Sequence, residues 1–212
     1  MQIDGFISKL PPELAASGEQ KYELMPINQA STEAKFILDR FVNTLGKTYT
    51  LRRIERVCNP FLLKLYVGNR NKMAADRGGK ANEQLMFHGS QSWKEILTNG
   101  FDFRYSRNGR YGCGAYFAFN SRYSDSGYAV PVFGFSALTP HLLFCSYVGQ
   151  DENGFKTMFV SYVVAGVSTQ CAPNSALTEP PNGADSVIEP NTMVIVYKEF
   201  RAYPAYLIRY TA

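Results

Sequence analysis

The chain has 212 residues, of which 45% are hydrophobic and 19% charged, with a formal net charge of +4 at pH 7. This length and balance fit one globular domain with a full core and exclude an intrinsically disordered chain. The mild positive charge suits an anionic small molecule and makes no case for a nucleic-acid or membrane surface.

The four cysteines, Cys58, Cys113, Cys145 and Cys171, lack the C-x-x-C spacing of a zinc site, and no N-x-S/T sequon occurs. Free thiols in a reducing compartment are expected, and no metal. The opening stretch, MQIDGFISKLPPELAAS, has neither the basic start nor the long apolar core of a signal peptide. No apolar run reaches the ~18 residues of a membrane span. A cytosolic or nuclear protein without a membrane partner is expected.

Residues 1–30 mix Pro11, Pro12, Gly18 and Pro26 with polar residues and read as an N-terminal arm or lead-in segment. STEAKFILDRFVNTLG then sets Ala34, Ile37, Leu38, Phe41 and Leu45 on one helical face, with Ser31 or Thr32 as N-cap and Gly46 past the end. KTYTLRRIERV predicts an exposed or edge strand. Asn59 and Pro60 open a second helix, which runs through FLLKLYVGNRNKMAADRGG to a stop at Gly78-Gly79. Its Lys64, Arg70, Lys72 and Arg77 read as a solvated face.

EQLMFHGS predicts a short strand ending at His88, Gly89 and Ser90, followed by a capping box, Ser92 to Glu95, and a short helix closed by Gly100. A glycine-rich loop and the strand AYFAF come next, then a short helical segment through RYSDSGYA with Ser121 as its cap. Strands dominate the remainder, in FKTMFVSYVVAG, TMVIVYK and AYPAYLIRY, with PNSALTEPPNGAD as a long polar loop. Helices crowd the first half and strands the second, without βαβ alternation or a repeat. The fold class is therefore α+β with mainly antiparallel sheet.

In NGRYGCGAYFAF, Gly109, Gly112 and Gly114 run G-x-x-G-x-G, the reverse of the Rossmann order, and an aromatic strand follows instead of a helix. A dinucleotide held on a helix N-terminus is excluded. A strand ending in His-Gly-Ser offers an imidazole and, at Gly89, backbone groups that no side chain covers, an arrangement suited to a planar carboxamide. A structural histidine in a turn is the plainer alternative, and His141, beside Pro140, is read that way. Tyr116, Tyr123, Tyr128 and Ser124 fall around one strand and the turn after it, so that two aromatic faces and a hydroxyl could converge on a flat cationic ring. Ordinary aromatic core is the rival reading in a chain with 14 tyrosines.

LMFHGS, NGFDF, GRYGCGAYFAFNSRYS and AYPAYLIRY, in that order, resemble the catalytic domain of the poly(ADP-ribose) polymerase family, the diphtheria-toxin-like ADP-ribosyltransferases. YTLRRIERVCNPFLLKLY likewise resembles the segment before the first motif strand in the short, mono-ADP-ribosylating members. The resemblance implies a PARP-type fold of mainly antiparallel sheets with flanking helices, without the regulatory helical subdomain, over residues 31–212. It also implies NAD as co-substrate and a pentosyl transfer, from NAD to a protein, the enzyme itself included, with a nucleic-acid end as a secondary acceptor.

By the same resemblance His88 bonds the adenosine ribose, and the Gly89 backbone with the Ser124 hydroxyl takes the nicotinamide amide. Tyr116 and Tyr128 sandwich the ring, with Tyr123 as the alternative to Tyr128. Ser90, Arg110 and Phe117 complete the implied NAD-binding set, and Arg104 and Arg107 are further candidates for the pyrophosphate. RNGRYGCG resembles the end of the family's donor loop.

The third motif position departs from the pattern of the polymerising members. Counting back from AYP puts Met193 there, counting forward from Pro190 puts Thr192, and neither is a glutamate. Neither side chain serves as a carboxylate base, so one transfer per acceptor is expected instead of a polymer. Glu189 is close by but off the motif register. The apolar segment 129–154 is a second departure, read as an acceptor-side rim or partner patch or as extra core. A catalytically weak NAD-binding module and an NAD glycohydrolase are the alternatives to a mono-ADP-ribosyltransferase.

Overall fold

The computed structural model describes residues 3–10, 21–106, 109–126, 150 and 153–211. Its helices are α1 (Ile3–Ile7), α2 (Thr32–Leu45), α3 (Pro60–Asp76), α4 (Trp93–Asn99) and α5 (Ser121–Ser126). Its strands are β1 (Glu23–Pro26), β2 (Thr50–Cys58), β3 (Glu83–Gly89), β4 (Ala115–Ala118), β5 (Lys156–Val164), β6 (Ser168–Thr169), β7 (Ser186–Glu189), β8 (Met193–Val196) and β9 (Ala202–Thr211).

The strands join in one sheet in the order β1-β2-β9-β5-β3-β4-β8-β7-β6. Every neighbouring pair is antiparallel except β6 with β7. The α+β expectation holds, with four of the five described α-helices in the first half of the chain.

Local signals place the long helices. Ser31 sits in extended backbone before α2 and accepts the Ala34 N–H, while Gly46 ends the helix in the left-handed region. Ala34, Ile37, Phe41 and Leu45 are its buried stripe. Asn59 caps α3 by accepting the Leu62 N–H, and Pro60 occupies a first-turn position where a missing N–H costs nothing.

Several expectations are corrected by long-range packing. β2 is an inner strand, with β1 on one side and β9 on the other, because the chain ahead of α2 returns to cover its edge. Within the stretch read as an irregular lead-in, α1 and β1 are regular elements, and Ile3 and Phe6 are fully buried. The capping box before α4 does not form, since Ser92 has non-extended backbone and no side-chain cap bond. Its N–H instead donates to Ser90 Oγ at 3.1 Å. Ser121 opens α5 without acting as a free cap, because its hydroxyl donates to the Phe41 carbonyl at 2.6 Å. On α3, Arg70 and Arg77 are not simply solvated, as Arg70 pairs with Asp4 and Glu83, and Arg77 with Asp185 at 2.9 Å.

The main core lies under β2, β9, β5 and β3 and is rich in tyrosine. Phe6 meets Tyr162, Tyr203 and Tyr206 edge-on at 5.9, 5.7 and 5.4 Å. Its buried phenols find partners: Tyr203 donates to the Val57 carbonyl, Tyr206 to Glu33, Tyr66 to Glu83 and Tyr210 to Asp125. Pro204 falls within the central strand β9, where a register shift opposite Val160 and Ser161 absorbs its missing donor.

Candidate active site

β3 and β4 share a single residue pair, Phe87 opposite Ala118. Beyond it the strands part. His88 and Gly89 stay paired only with Phe159 and Met158 of β5, and Tyr116 only with Ile195 of β8. A sheet that opens in this way leaves the ends of both strands beside a gap, with backbone groups turned away from any ladder.

His88 spans that gap, its Nδ1 lying 2.8 Å from the Tyr116 carbonyl oxygen. A carbonyl only accepts, so Nδ1 carries the proton and Nε2 keeps its lone pair. The imidazole is 7% exposed and lies edge-on to Phe101 at 4.9 Å and tilted to Phe117 at 5.3 Å. Burial pushes its pKa down to about 4, against the opposing effect of the bond to Tyr116. The ring is therefore neutral at physiological pH, with Nε2 as an acceptor that has no partner among the described residues.

Alternation along β4 turns Tyr116 and Phe117 to opposite faces. Phe117 is fully buried behind His88, with Phe101 edge-on to it at 4.9 Å. Tyr116 is 5% exposed and packs with Tyr111, Met193, Ile195 and Tyr197. Its hydroxyl accepts the Tyr111 N–H and donates to the Gly112 carbonyl, both at 2.9 Å.

The glycine-rich loop is thus fastened to β4 by the tyrosine that follows it. A Cβ on Gly109 would lie 2.3 Å from the Tyr116 phenol oxygen, and one on Gly112, at φ +76°, 1.9 Å from the Leu177 carbonyl oxygen. These glycines allow close approach and a tight turn. Two further bonds hold the same loop: Cys113 N–H to the Leu177 carbonyl at 2.8 Å and Tyr197 OH to the Tyr111 carbonyl at 2.6 Å.

Of the loop arginines, Arg104 is engaged by Asp102 at 2.7 Å and Glu199 at 3.5 Å. Arg110 lies over the Tyr111 ring and reaches Glu189 at 3.3 Å. Arg107 lies outside the described residues, as do Tyr128, His141 and nearly all of the 129–154 segment.

Ser124 is fully buried on α5, and its hydroxyl has no hydrogen-bond partner among the described residues. An orphaned buried hydroxyl is costly unless something fills the space beside it. Tyr123, partly buried, packs against both the main core and the Tyr116 cluster. Ser90 is half-buried and accepts the Ser92 N–H.

Met193 begins β8 opposite Ala118 and packs, 2% exposed, in the Tyr116 cluster. Thr192 sits in the turn before it, its N–H on the Glu189 carbonyl and its own carbonyl taking the Phe119 N–H. Glu189 ends β7 and pairs directly with Met193 across the β7–β8 ladder. Among the described residues no group of three or more His, Cys, Asp or Glu could hold a metal ion.

Sequence reasoning passed over Tyr111, Tyr197 and Asp125, the residue after Ser124. The groups that their side chains hydrogen-bond are remote in the chain. The one local signal was Lys156, a cation heading an otherwise uncharged strand and so in need of a buried anion.

The model of the poly(ADP-ribose) polymerase catalytic domain matches residues 31–195. The chain is 26% identical over 217 residues to human protein mono-ADP-ribosyltransferase PARP14, covering 95% of this chain and 11% of that protein. It is 28% identical over 201 residues to a probable poly [ADP-ribose] polymerase of Dictyostelium discoideum, covering 91% and 53% respectively. With human protein mono-ADP-ribosyltransferase PARP12 the identity is 26% over 206 residues, covering 90% and 26%. The chain thus spans at most about half the length of these relatives. The match runs from the cap of α2 into β8 and takes in both sides of the opened seam: the chain belongs to the poly(ADP-ribose) polymerase catalytic domain family.

Proposed function

We propose that this chain is an NAD-dependent mono-ADP-ribosyltransferase, which moves one ADP-ribose from NAD to a protein acceptor, itself included, and releases nicotinamide. The observation that carries the reading is the opened β3–β4 seam, where a neutral His88 acceptor and the partnerless Ser124 hydroxyl belong to elements packed around the same strand ends. NAD supplies the glycosidic bond that breaks and a neutral leaving group.

In this reading His88 Nε2 accepts a ribose hydroxyl, a role that needs the neutral ring and the Nδ1–H tautomer fixed by the Tyr116 carbonyl. Phe101 and Phe117 hold that ring from behind. Gly89 offers its backbone and Ser124 its hydroxyl to the carboxamide, and Tyr116, with Tyr128 or Tyr123, flanks the nicotinamide ring. Ser90 and Arg110 stand on the pyrophosphate side. Met193, or Thr192 in the other register, occupies the third motif position, and neither side chain is a carboxylate base, so chain growth has no base.

The catalytic unit is taken as residues 31–212, with residues 1–30 as a lead-in whose α1 and β1 pack onto it. The cytosol or nucleus is the proposed location, and a nucleic-acid end the secondary acceptor. No helix among the described residues is long and apolar enough to cross a membrane.

One observation favours a weaker, binding-only module: Tyr116 is covered by Gly109 and its hydroxyl is already engaged by the loop. Automodification with NAD labelled in the adenylate, with nicotinamide release followed in parallel, separates the readings. Covalent label matching the nicotinamide released supports the transferase. Release without label is hydrolysis by water, and neither product leaves the binding module.

A further inference from the structure

Ser121, Ser124 and Asp125 fall at i, i+3 and i+4 on α5, so they share one face. All three are buried, and the outer two are tied down. Ser121 donates its hydroxyl to the Phe41 carbonyl at 2.6 Å, and its N–H to Thr44 Oγ1 at 2.9 Å. Asp125, 1% exposed, accepts Lys156 Nζ at 2.8 Å and Tyr210 OH at 2.7 Å on Oδ1, and faces Lys47 Nζ at 2.5 Å across Oδ2. Ser124, between them, has no partner among the described residues.

A helix of six residues has no stability of its own, so its direction comes from its anchors. The Asp125 anchors come from three separate segments: the head of β5, the far end of β9 and the connection between α2 and β2. Burial pushes the Asp125 carboxyl up, but the hydrogen bonds from Lys156 and Tyr210 and the ion pair with Lys47 outweigh it and hold it below the usual carboxylate range. The cradle is accordingly ionic at neutral pH. A carboxylate held from three directions fixes both the position and the rotation of the helix about its axis. The rotation decides where the neighbouring hydroxyl points.

We propose that Asp125 is a positioning residue for amide recognition: through Lys156, Tyr210 and Lys47 it locks α5 so that the Ser124 hydroxyl stays aimed at the carboxamide of NAD. The inference rests on the reading of Ser124 as the carboxamide's partner and adds to it the device that sets the hydroxyl's direction.

The test is a double-mutant cycle on the full chain, with nicotinamide as the probe in calorimetry and NAD in initial-rate kinetics. Asp125→Asn is expected to weaken nicotinamide binding about tenfold, the value of one good hydrogen bond, and to raise KM for NAD more than it lowers kcat. Tyr210→Phe, which keeps the ring and removes one of the bonds, guards against misfolding of the first variant and should shift binding the same way by less. In a Ser124→Ala background both substitutions should add nothing, which a general structural defect would not reproduce. If wild type binds nicotinamide and Ser124→Ala weakens it, yet Asp125→Asn and Tyr210→Phe act equally with and without the Ser124→Ala substitution, or not at all, the positioning role is overturned alone. If wild type binds no nicotinamide, the carboxamide reading falls and takes the inference with it.

Discussion

The strands on the two sides of the β3–β4 seam are held by different means. On the side of β1, β2, β9, β5 and β3, buried carboxylates collect side-chain donors from distant segments. Glu33 takes Arg56, Lys9 and Tyr206, and Asp125 takes Lys156, Lys47 and Tyr210. On the side of β4, β8, β7 and β6, the ion pairs Arg77–Asp185 and Arg110–Glu189 are more exposed, and the wall beside the site is fastened through a loop: Tyr116 and Tyr197 bond the carbonyls and N–H of residues 111 and 112, and glycines let the loop lie flat. The first side is a frame whose ion pairs resist movement. The second is a wall whose shape depends on a loop, and the candidate site residues lie where the two meet.

Breaking the frame should cost most. Glu33→Ala leaves the largely buried Arg56 without its carboxylate and removes an acceptor of the Tyr206 phenol, and loss of one partner of a buried ion pair costs about 3–5 kcal/mol. A thermal melt should show a large fall in midpoint, while nicotinamide affinity of the molecules that remain folded stays close to wild type. An affinity that falls in step with stability would mean that frame and site are not separable.

Breaking the wall should cost somewhat less in stability and more in function. Gly112→Ala forces a non-glycine residue to φ +76° and a Cβ into the Leu177 carbonyl, a strain of roughly 1–3 kcal/mol before the loop shifts. Hydrogen exchange should quicken at β4 and β8 and leave β5 and β9 protected. Uniform quickening across the sheet would contradict the division.

The seam itself is probed by His88→Phe, which keeps a ring between Phe101 and Phe117 but loses both nitrogens. About tenfold lower kcat/KM for NAD is expected from one missing bond to the ribose. A pH signature goes with it. The folded pKa of about 4 lies below the ordinary 6.5, so the unfolded chain binds more protons between those values. The stability that neutral His88 contributes is complete above about pH 6.5 and is lost as pH falls toward about 4. His88→Phe should flatten that part of the stability profile. If the two profiles run parallel, the imidazole is not the buried neutral group described.

The smallest effect is expected at Met193. Met193→Leu conserves volume and should change stability by less than about 1.5 kcal/mol, with a single ADP-ribose on the acceptor in mass spectra of both proteins. Ladders of several units on the wild type would refute mono-transfer, whatever residue stands at that position.

Sequence reasoning reached what is decided within a few residues. Ser31, Gly46, Asn59, Pro60 and Gly100 mark helix ends because a cap is made by the backbone next to it. The His-Gly end of β3, the aromatic strand after the glycine loop and the absence of a dinucleotide helix were legible for the same reason. The local signal at Ser92 and Glu95 misled, since an available Ser90 hydroxyl took the N–H and the Ser92 backbone never became extended.

Tertiary structure alone decided which strands are neighbours, and with that the site. β9, last in sequence, lies between β2 and β5, and Tyr206 reaches Glu33 across 173 residues. Nothing in the spacing of the chain encodes that β3 and β4 pair once and then part. Nor does it encode that Asp125 meets Lys156, Lys47 and Tyr210. Such contacts are chosen by how whole elements pack and by the need of every buried charge for a partner, and both conditions are set by the assembled core.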